Sequence, residues 1–322
     1  MPPRVSRLET LRRLRTNKHE IGLSLSDLSE LDNYLQEKWD IRLDNIEGPI
    51  ERLKQLPEKL RDEFLMLYDE RVDCFENDVP IPLESETRFY DLIAQDPLNG
   101  IVHSQKRPII LDGMAWVRSL LRHLKMDGPM LDIGCHTGYQ SIWFASQLEM
   151  KVDAVDRSAK AISYAQEKAR ELSNVEFEVW DYHGDDVRGG KYDVIICSDA
   201  CPTDIDEYQA FLKTLSGLLE DDGVVILIDI LMEWFDPKPL QHCALEEGFG
   251  FGVCDVVGGW NGMSFGSRGV LALVMGGSDL FPDEMEDDWV EGWDRSGFQD
   301  YANSDIVPPS QKSLAYFRAQ KK

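Results

Sequence analysis

The chain has 322 residues, 43% of them hydrophobic and 29% charged, with a formal net charge of −25. That length holds one large domain or two modest ones. So acidic a surface repels phosphate backbones and anionic membranes, which sets nucleic acid and membranes aside as expected partners. The six cysteines, Cys74, Cys135, Cys197, Cys201, Cys243 and Cys254, form no C-x-x-C pair and the histidines are scattered. No metal site is therefore expected, and reduced thiols in a cytoplasmic setting are. The longest apolar runs, Val224–Ile228 and Val270–Met275, are far short of a membrane span.

In chain order, the first segment is basic: Arg4, Arg7, Arg12, Arg13, Arg15 and Lys18 face only Glu9, with leucines between them. It reads as a helical arm on the protein's own acidic surface, with a targeting helix or a contact for an anionic partner as alternatives. Residues 1–95 read as helical. Ser26 can cap a segment carrying Leu28, Leu31 and Leu35, and Pro57 suits a first turn before Leu60, Phe64, Leu67 and Tyr68. Asn77–Ser85, with two prolines, reads as a loop, Thr87–Ala94 as a short helix, Pro97–Arg107 as a connector, and Ile109–Leu124 as a helix.

From Pro129 the character changes. Strand-like runs at Met130–Ile133, Val152–Val155, Val175–Val179, Tyr192–Cys197 and Val224–Ile228 alternate with helical segments ending at Leu148, Leu172 and Leu219 and one near Leu240–Glu247. Alternation of this kind predicts an α/β fold with a mainly parallel sheet covered by helices. Phe249–Val257 and Val270–Met275 bring the strand count to seven, and with no clear helix between them they read as a terminal hairpin with one antiparallel strand. Three regions follow: a helical cap or lid at 1–105, an α/β core at 106–276, and an acidic, aromatic tail at 277–322.

The most informative stretch is Met130 to Ala145. A strand ending near Asp132 passes through Gly134 and Gly138 into a helix. Glycine lets a ligand lie against the backbone, and the helix start presents unpaired N–H groups. Aspartates then recur at successive strand ends: Asp132, Asp156, Asp181 and Asp199. Strand ends lie side by side in such a sheet, so these carboxylates gather on one edge. An acid about twenty residues past the turn suits a ribose diol, and an acid after the third strand can accept from an adenine amino group. A dinucleotide site would need Gly-x-Gly-x-x-Gly, and the third glycine is missing. These points favour a single adenosine.

Residues 129–276 resemble the class I S-adenosylmethionine-dependent methyltransferases. The first motif of that family is Asp/Glu-x-Gly-x-Gly-x-Gly; here it runs from Asp132 through Gly134, Cys135, His136 and Thr137 to Gly138. The resemblance implies a Rossmann-like seven-stranded sheet in the order 3-2-1-4-5-7-6 with the last strand antiparallel. It implies S-adenosyl-L-methionine as cofactor. Asp156 matches the ribose acid, Asp181 the adenine-side acid, and Cys197-Ser198-Asp199-Ala200 the fourth-strand motif. The cofactor-binding set is then Asp132, Gly134, Cys135, His136, Gly138, Asp156, Arg157, Asp181, Tyr182 and Ser198. The sequence departs at His136, where a ring replaces the family's middle glycine, either crowding the methionine moiety or reshaping the turn.

Asp199 is the first candidate to orient or deprotonate a methyl acceptor, and His183 the second. Neither Asn/Asp-Pro-Pro-Tyr/Phe, which marks nucleobase amino methyltransferases, nor the paired-glutamate loop of arginine methyltransferases is present. A small molecule or a protein side chain is the expected acceptor. Glu233, Trp234, Trp260, Asn261 and Met263 are candidates to border its pocket, which would suit a cationic amine. His103, Gln105 and Arg107 are candidates for the cofactor's carboxylate. Two other functions stand beside this one: a methyltransferase-like scaffold without catalysis, and a dinucleotide oxidoreductase.

Overall fold

The computed structural model describes residues 25–42, 48–77, 79–105, 107–182, 189–198, 200–202, 205–230, 249–262 and 266–277, together with Glu9, Thr10 and Arg13. Six helices come first: α1 (Leu25–Trp39), α2 (Gly48–Lys54), α3 (Glu58–Glu76), α4 (Leu83–Ile93), α5 (Leu98–Gln105) and α6 (Arg107–Leu124). Then come β1 (Met130–Ile133), α7 (Tyr139–Leu148), β2 (Val152–Asp156), α8 (Ala159–Lys168), β3 (Val175–Val179) and β4 (Tyr192–Ser198). The last described elements are α9 (Ile205–Leu218), β5 (Leu219–Ile230), β6 (Phe249–Gly262) and β7 (Gly266–Gly277).

The strands form one sheet in the order β3-β2-β1-β4-β5-β7-β6. Five of them, β1 to β5, pair in parallel. β7 runs antiparallel to both β5 and β6. β1 is buried along its whole length, as a central parallel strand must be. At the edge, β3 alternates, with Val175 and Phe177 turned inward between exposed glutamates.

Period-two alternation divides the core into two layers. Met130, Val152, Ala154, Val194, Ile196, Val224 and Ile226 face one way and pack with α1, α6 and α7. Leu131, Ile133, Val155, Ile195, Cys197, Val225 and Leu227 face the other way and pack with Tyr208, Phe211, Leu212 and Leu215 of α9. Helix α1 joins the first layer through Leu31, Leu35 and Trp39, spaced four residues apart on one face. A third cluster, with Leu53, Phe64, Phe89, Leu92, Leu98 and Ile101, holds α2 to α5 together as a cap.

Four expectations are corrected. The stretch expected as a connector at Pro97–Arg107 contains a helix, α5. Its buried face is mixed, with Leu98 and Ile101 beside Asn99, His103 and Ser104, so no apolar stripe marks it in the sequence. Helix α4 starts at Leu83, four residues before the expected Thr87, with Pro82 as its N-cap residue and Glu84 and Glu86 in its first turn. The strands of the terminal hairpin run into the expected connection, with Gly258 to Gly262 paired to residues from Val270 back to Gly266. Ser26 lies inside α1 rather than ahead of it. The helix expected near Leu240–Glu247, most of the basic first segment and the tail from residue 278 lie outside the described residues.

Candidate cofactor site at the glycine turn

The strand order changes direction between β1 and β4, the place where open α/β sheets take their ligands. The chain leaves β1 there and turns into α7. Gly134, His136 and Gly138 all adopt left-handed backbone angles, with φ of +73°, +47° and +81°. A side chain on Gly134 would place its Cβ 2.3 Å from Cβ of Ala200, and one on Gly138 would lie 2.7 Å from the Phe177 ring. Both glycines are therefore required by space as well as by angle. His136 is the exception, and a left-handed non-glycine residue costs about 1–2 kcal/mol.

Backbone hydrogen bonds fix the turn. The Gly134 and Cys135 N–H groups both donate to the Val155 carbonyl, at 2.9 and 3.0 Å. Asp156 closes it from β2: one carboxylate oxygen accepts from the His136 N–H at 2.8 Å, the other from the Ser158 N–H at 2.8 Å. A carboxylate offers about four lone-pair sites, so these two bonds leave acceptor capacity on each oxygen for a diol. Asp156 is only half-buried, so that capacity is reachable.

Asp132 has a different place. It is 1% exposed, and it accepts from Ser141 Oγ at 2.6 Å and Gln140 Nε2 at 3.2 Å. Gln140 in turn accepts from Ser198 Oγ at 3.2 Å. This chain of bonds joins the ends of β1 and β4 to the first turn of α7. Asp132, expected among the cofactor-binding residues, is deeply buried here and braces the turn from behind. Burial pushes its carboxyl up to about 7, although the bonds from Ser141 and Gln140 pull the other way.

The cap reaches the same turn. His136 places Nε2 3.4 Å from the Tyr90 carbonyl, and its ring lies 5.1 Å from that of His103 and 6.0 Å from that of Tyr90. The His136 backbone takes a left-handed angle, and its ring packs on the cap. Thr137 Oγ1 donates to Asn99 Oδ1 at 3.1 Å, and Ser158 Oγ donates to Asp91 Oδ1 at 2.6 Å. Arg157, expected beside the ligand, pairs with Glu86 at 2.6 Å and lies over the Tyr90 ring. Tyr90, Asp91, Asn99 and Ser158 were not singled out in the sequence. Only Ser158 carries a local signal, as the N-cap of α8; the others meet the turn through long-range contacts.

The remaining candidates divide. Cys135 is buried within the turn, and burial raises its thiol well above the usual range. Asp181 and Tyr182 follow β3, both half-buried. The Tyr182 ring packs on Phe211 at 4.8 Å, and its phenol is raised first by burial and then by the neighbouring Cys197 and Cys201. Among the carboxylate candidates, His103 places Nδ1 2.8 Å from the Asn99 carbonyl. Asp199, His183, Glu233, Trp234 and Met263, with the side chains of Gln105, Arg107, Trp260 and Asn261, lie outside the described residues.

Parallel strands, a glycine turn at the switch point and acids at the following strand ends define an α/β domain built to hold a nucleoside. Residues 124–256 match the family model described as a methyltransferase domain. Over these residues the chain is similar to S-adenosylmethionine-dependent methyltransferases.

Individual relatives are distant. Phosphoethanolamine N-methyltransferase 1 of Arabidopsis thaliana is 32% identical over 108 residues, which are 33% of this chain and 22% of that protein. The chain thus spans about a fifth of the length of this curated relative. Among solved structures, an S-adenosylmethionine-dependent methyltransferase from Clostridium acetobutylicum is similar with a TM-score of 0.46 at 14% identity, over 56% of this chain and 99% of that one. Magnesium protoporphyrin IX methyltransferase from Synechocystis, with bound S-adenosylhomocysteine, has a TM-score of 0.42 at 21% identity, over 57% of this chain and 99% of that one. Among the described residues, no helix is long and apolar enough to cross a membrane.

Proposed function

We propose that this chain is an S-adenosylmethionine-dependent methyltransferase acting on a small molecule or a protein side chain. The observation that carries this reading is the Asp156 carboxylate, fixed by two backbone N–H groups beside the glycine turn and still able to accept on both oxygens. Asp156 accepts from the ribose hydroxyls and Asp181 from the adenine amino group. Gly134, Cys135, His136 and Gly138 give the backbone surface on which the rest of the cofactor lies, and Arg157, Tyr182 and Ser198 border it. When bound, the cofactor supplies a methyl group already activated by its sulfonium, together with the leaving group.

The protein's own task is then alignment and exclusion of water. Asp199, placed by sequence just past β4, orients the acceptor or takes its proton where the acceptor arrives protonated. His183 is second in that role. The cap supports a guarded site, since α4 and α5 bond to the turn itself. The likeness to a phosphoethanolamine N-methyltransferase favours a small amine among the acceptors, and the net charge of −25 favours a cation over a nucleic acid.

Calorimetry with S-adenosylhomocysteine tests the reading. The folded wild type should bind it, and Asp156→Ala and Asp181→Ala should each weaken binding at least about tenfold, or 1.4 kcal/mol. Circular dichroism checks that both variants fold. No uptake of the compound by folded wild type, or full affinity in both variants, would overturn the assignment. NADH titrated in parallel separates the oxidoreductase alternative.

A further inference from the structure

We infer that Cys197 and Cys201 form an oxidisable dithiol that controls the cofactor turn. Their sulfurs lie 3.6 Å apart. Cys197 is fully buried at the end of β4, in register with Ile133 of β1 and Leu227 of β5. Cys201 is half-buried just beyond the strand, so a small oxidant reaches it first. Cys74 on α3 and Cys135 inside the turn lie elsewhere.

The pair sits where a change is felt. Ala200 lies between the two cysteines, and its Cβ occupies the space that a side chain on Gly134 would need. Ala200 therefore lies close against the turn. A disulfide brings the sulfurs to about 2.05 Å, so they must close by roughly 1.5 Å. Cys197 is held by strands on both sides. The movement falls on Cys201 and on Ala200 next to it, and so shifts Ala200 relative to Gly134.

The chemistry balances with hydrogen peroxide as the oxidant. The Cys201 thiolate takes one peroxide oxygen, giving a sulfenic acid and releasing the other oxygen as water after protonation. The Cys197 thiolate then attacks that sulfur, the S–S bond forms, and hydroxide leaves and is protonated to a second water. Two thiols and one peroxide become one disulfide and two waters, and an external dithiol reverses the change.

The dithiol stands on its own geometry, whereas its effect on binding rests on the methyltransferase reading. The full chain is treated with peroxide and digested without reduction. Peptide mass spectrometry should find residues 197 and 201 linked, two hydrogens lighter, and dithiothreitol should restore them. In calorimetry the oxidised protein should bind S-adenosylhomocysteine at least about fivefold more weakly, about 1 kcal/mol, and reduction should restore the affinity. Cys201→Ser should bind as the reduced wild type does and ignore peroxide; Cys201→Ala serves if the serine variant does not fold. Peroxide that links no 197–201 pair overturns the dithiol. A linked protein with unchanged affinity overturns the control. If even the reduced protein binds no S-adenosylhomocysteine, the proposed function fails while the mass result still decides the dithiol.

Discussion

Asp132 separates bracing from binding. A carboxyl at the end of the first strand of such a sheet looks like a ligand contact, yet this one is 1% exposed and holds Gln140 and Ser141 of the turn. Its pH behaviour follows from burial. The folded state holds its proton up to about 7, against an ordinary value of 3.8. Between those values only the folded chain keeps the proton, so unfolding releases it and rising pH weakens the fold. The contribution is complete below about pH 4 and lost as the pH passes 7. Three units correspond to at most about 4 kcal/mol. Asp132→Asn removes the titration, and the Ser141 hydroxyl can turn to accept from the new amide. Thermal melts at several pH values should show wild type losing stability from pH 5 to 8 relative to the variant. Parallel profiles would mean that Asp132 is already ionised in the fold.

Helices α4 and α5 and the link between them are held from just past β2 and from α8, and not by each other alone. Ser158 at the start of α8 donates to Asp91, Arg157 pairs with Glu86, and Tyr164 donates to Asp96 at 2.8 Å. Asp91→Ala removes the bond from Ser158 and the ion pair with Lys160, while Ser158 still caps α8 through Ala161. A hydrogen bond to a charged group at a half-buried site contributes about 1–2 kcal/mol. Hydrogen exchange should therefore quicken across residues 83–93 and leave β1 and β4 unchanged. Equal exchange in both proteins would mean the cap is held by its apolar cluster alone. The same elements mark the limits of legibility. β1, β3 and the end of α7 could be read because continuous or alternating apolar runs and a glycine turn declare them. The glycine and acid positions were legible for the same reason: local spacing fixes them. Helix α5 was not, since Asn99, His103 and Ser104 fill a buried face that a periodic reading takes for loop. The roles of Tyr90, Asp91 and Asn99 arise only when distant segments meet.

Across the whole molecule the dominant feature is charge. A formal net charge of −25 sets up a negative potential, and Asp156 and Asp181 stand at one sheet edge within it. S-adenosylmethionine carries one net positive charge, from sulfonium and ammonium against one carboxylate. S-adenosylhomocysteine has lost the sulfonium and is neutral overall. Such a field favours the reactant over the spent product, which helps the product to leave. Salt acts selectively on that preference. The screening length falls from about 20 Å near 20 mM salt to about 6 Å near 300 mM. Over that range the dissociation constant of S-adenosylmethionine should rise several-fold, while that of S-adenosylhomocysteine should hardly move. Calorimetry with both compounds at the two salt concentrations checks this. An equal response of the two ligands would mean that contacts inside the turn, and not the acidic field, decide which form of the cofactor is held.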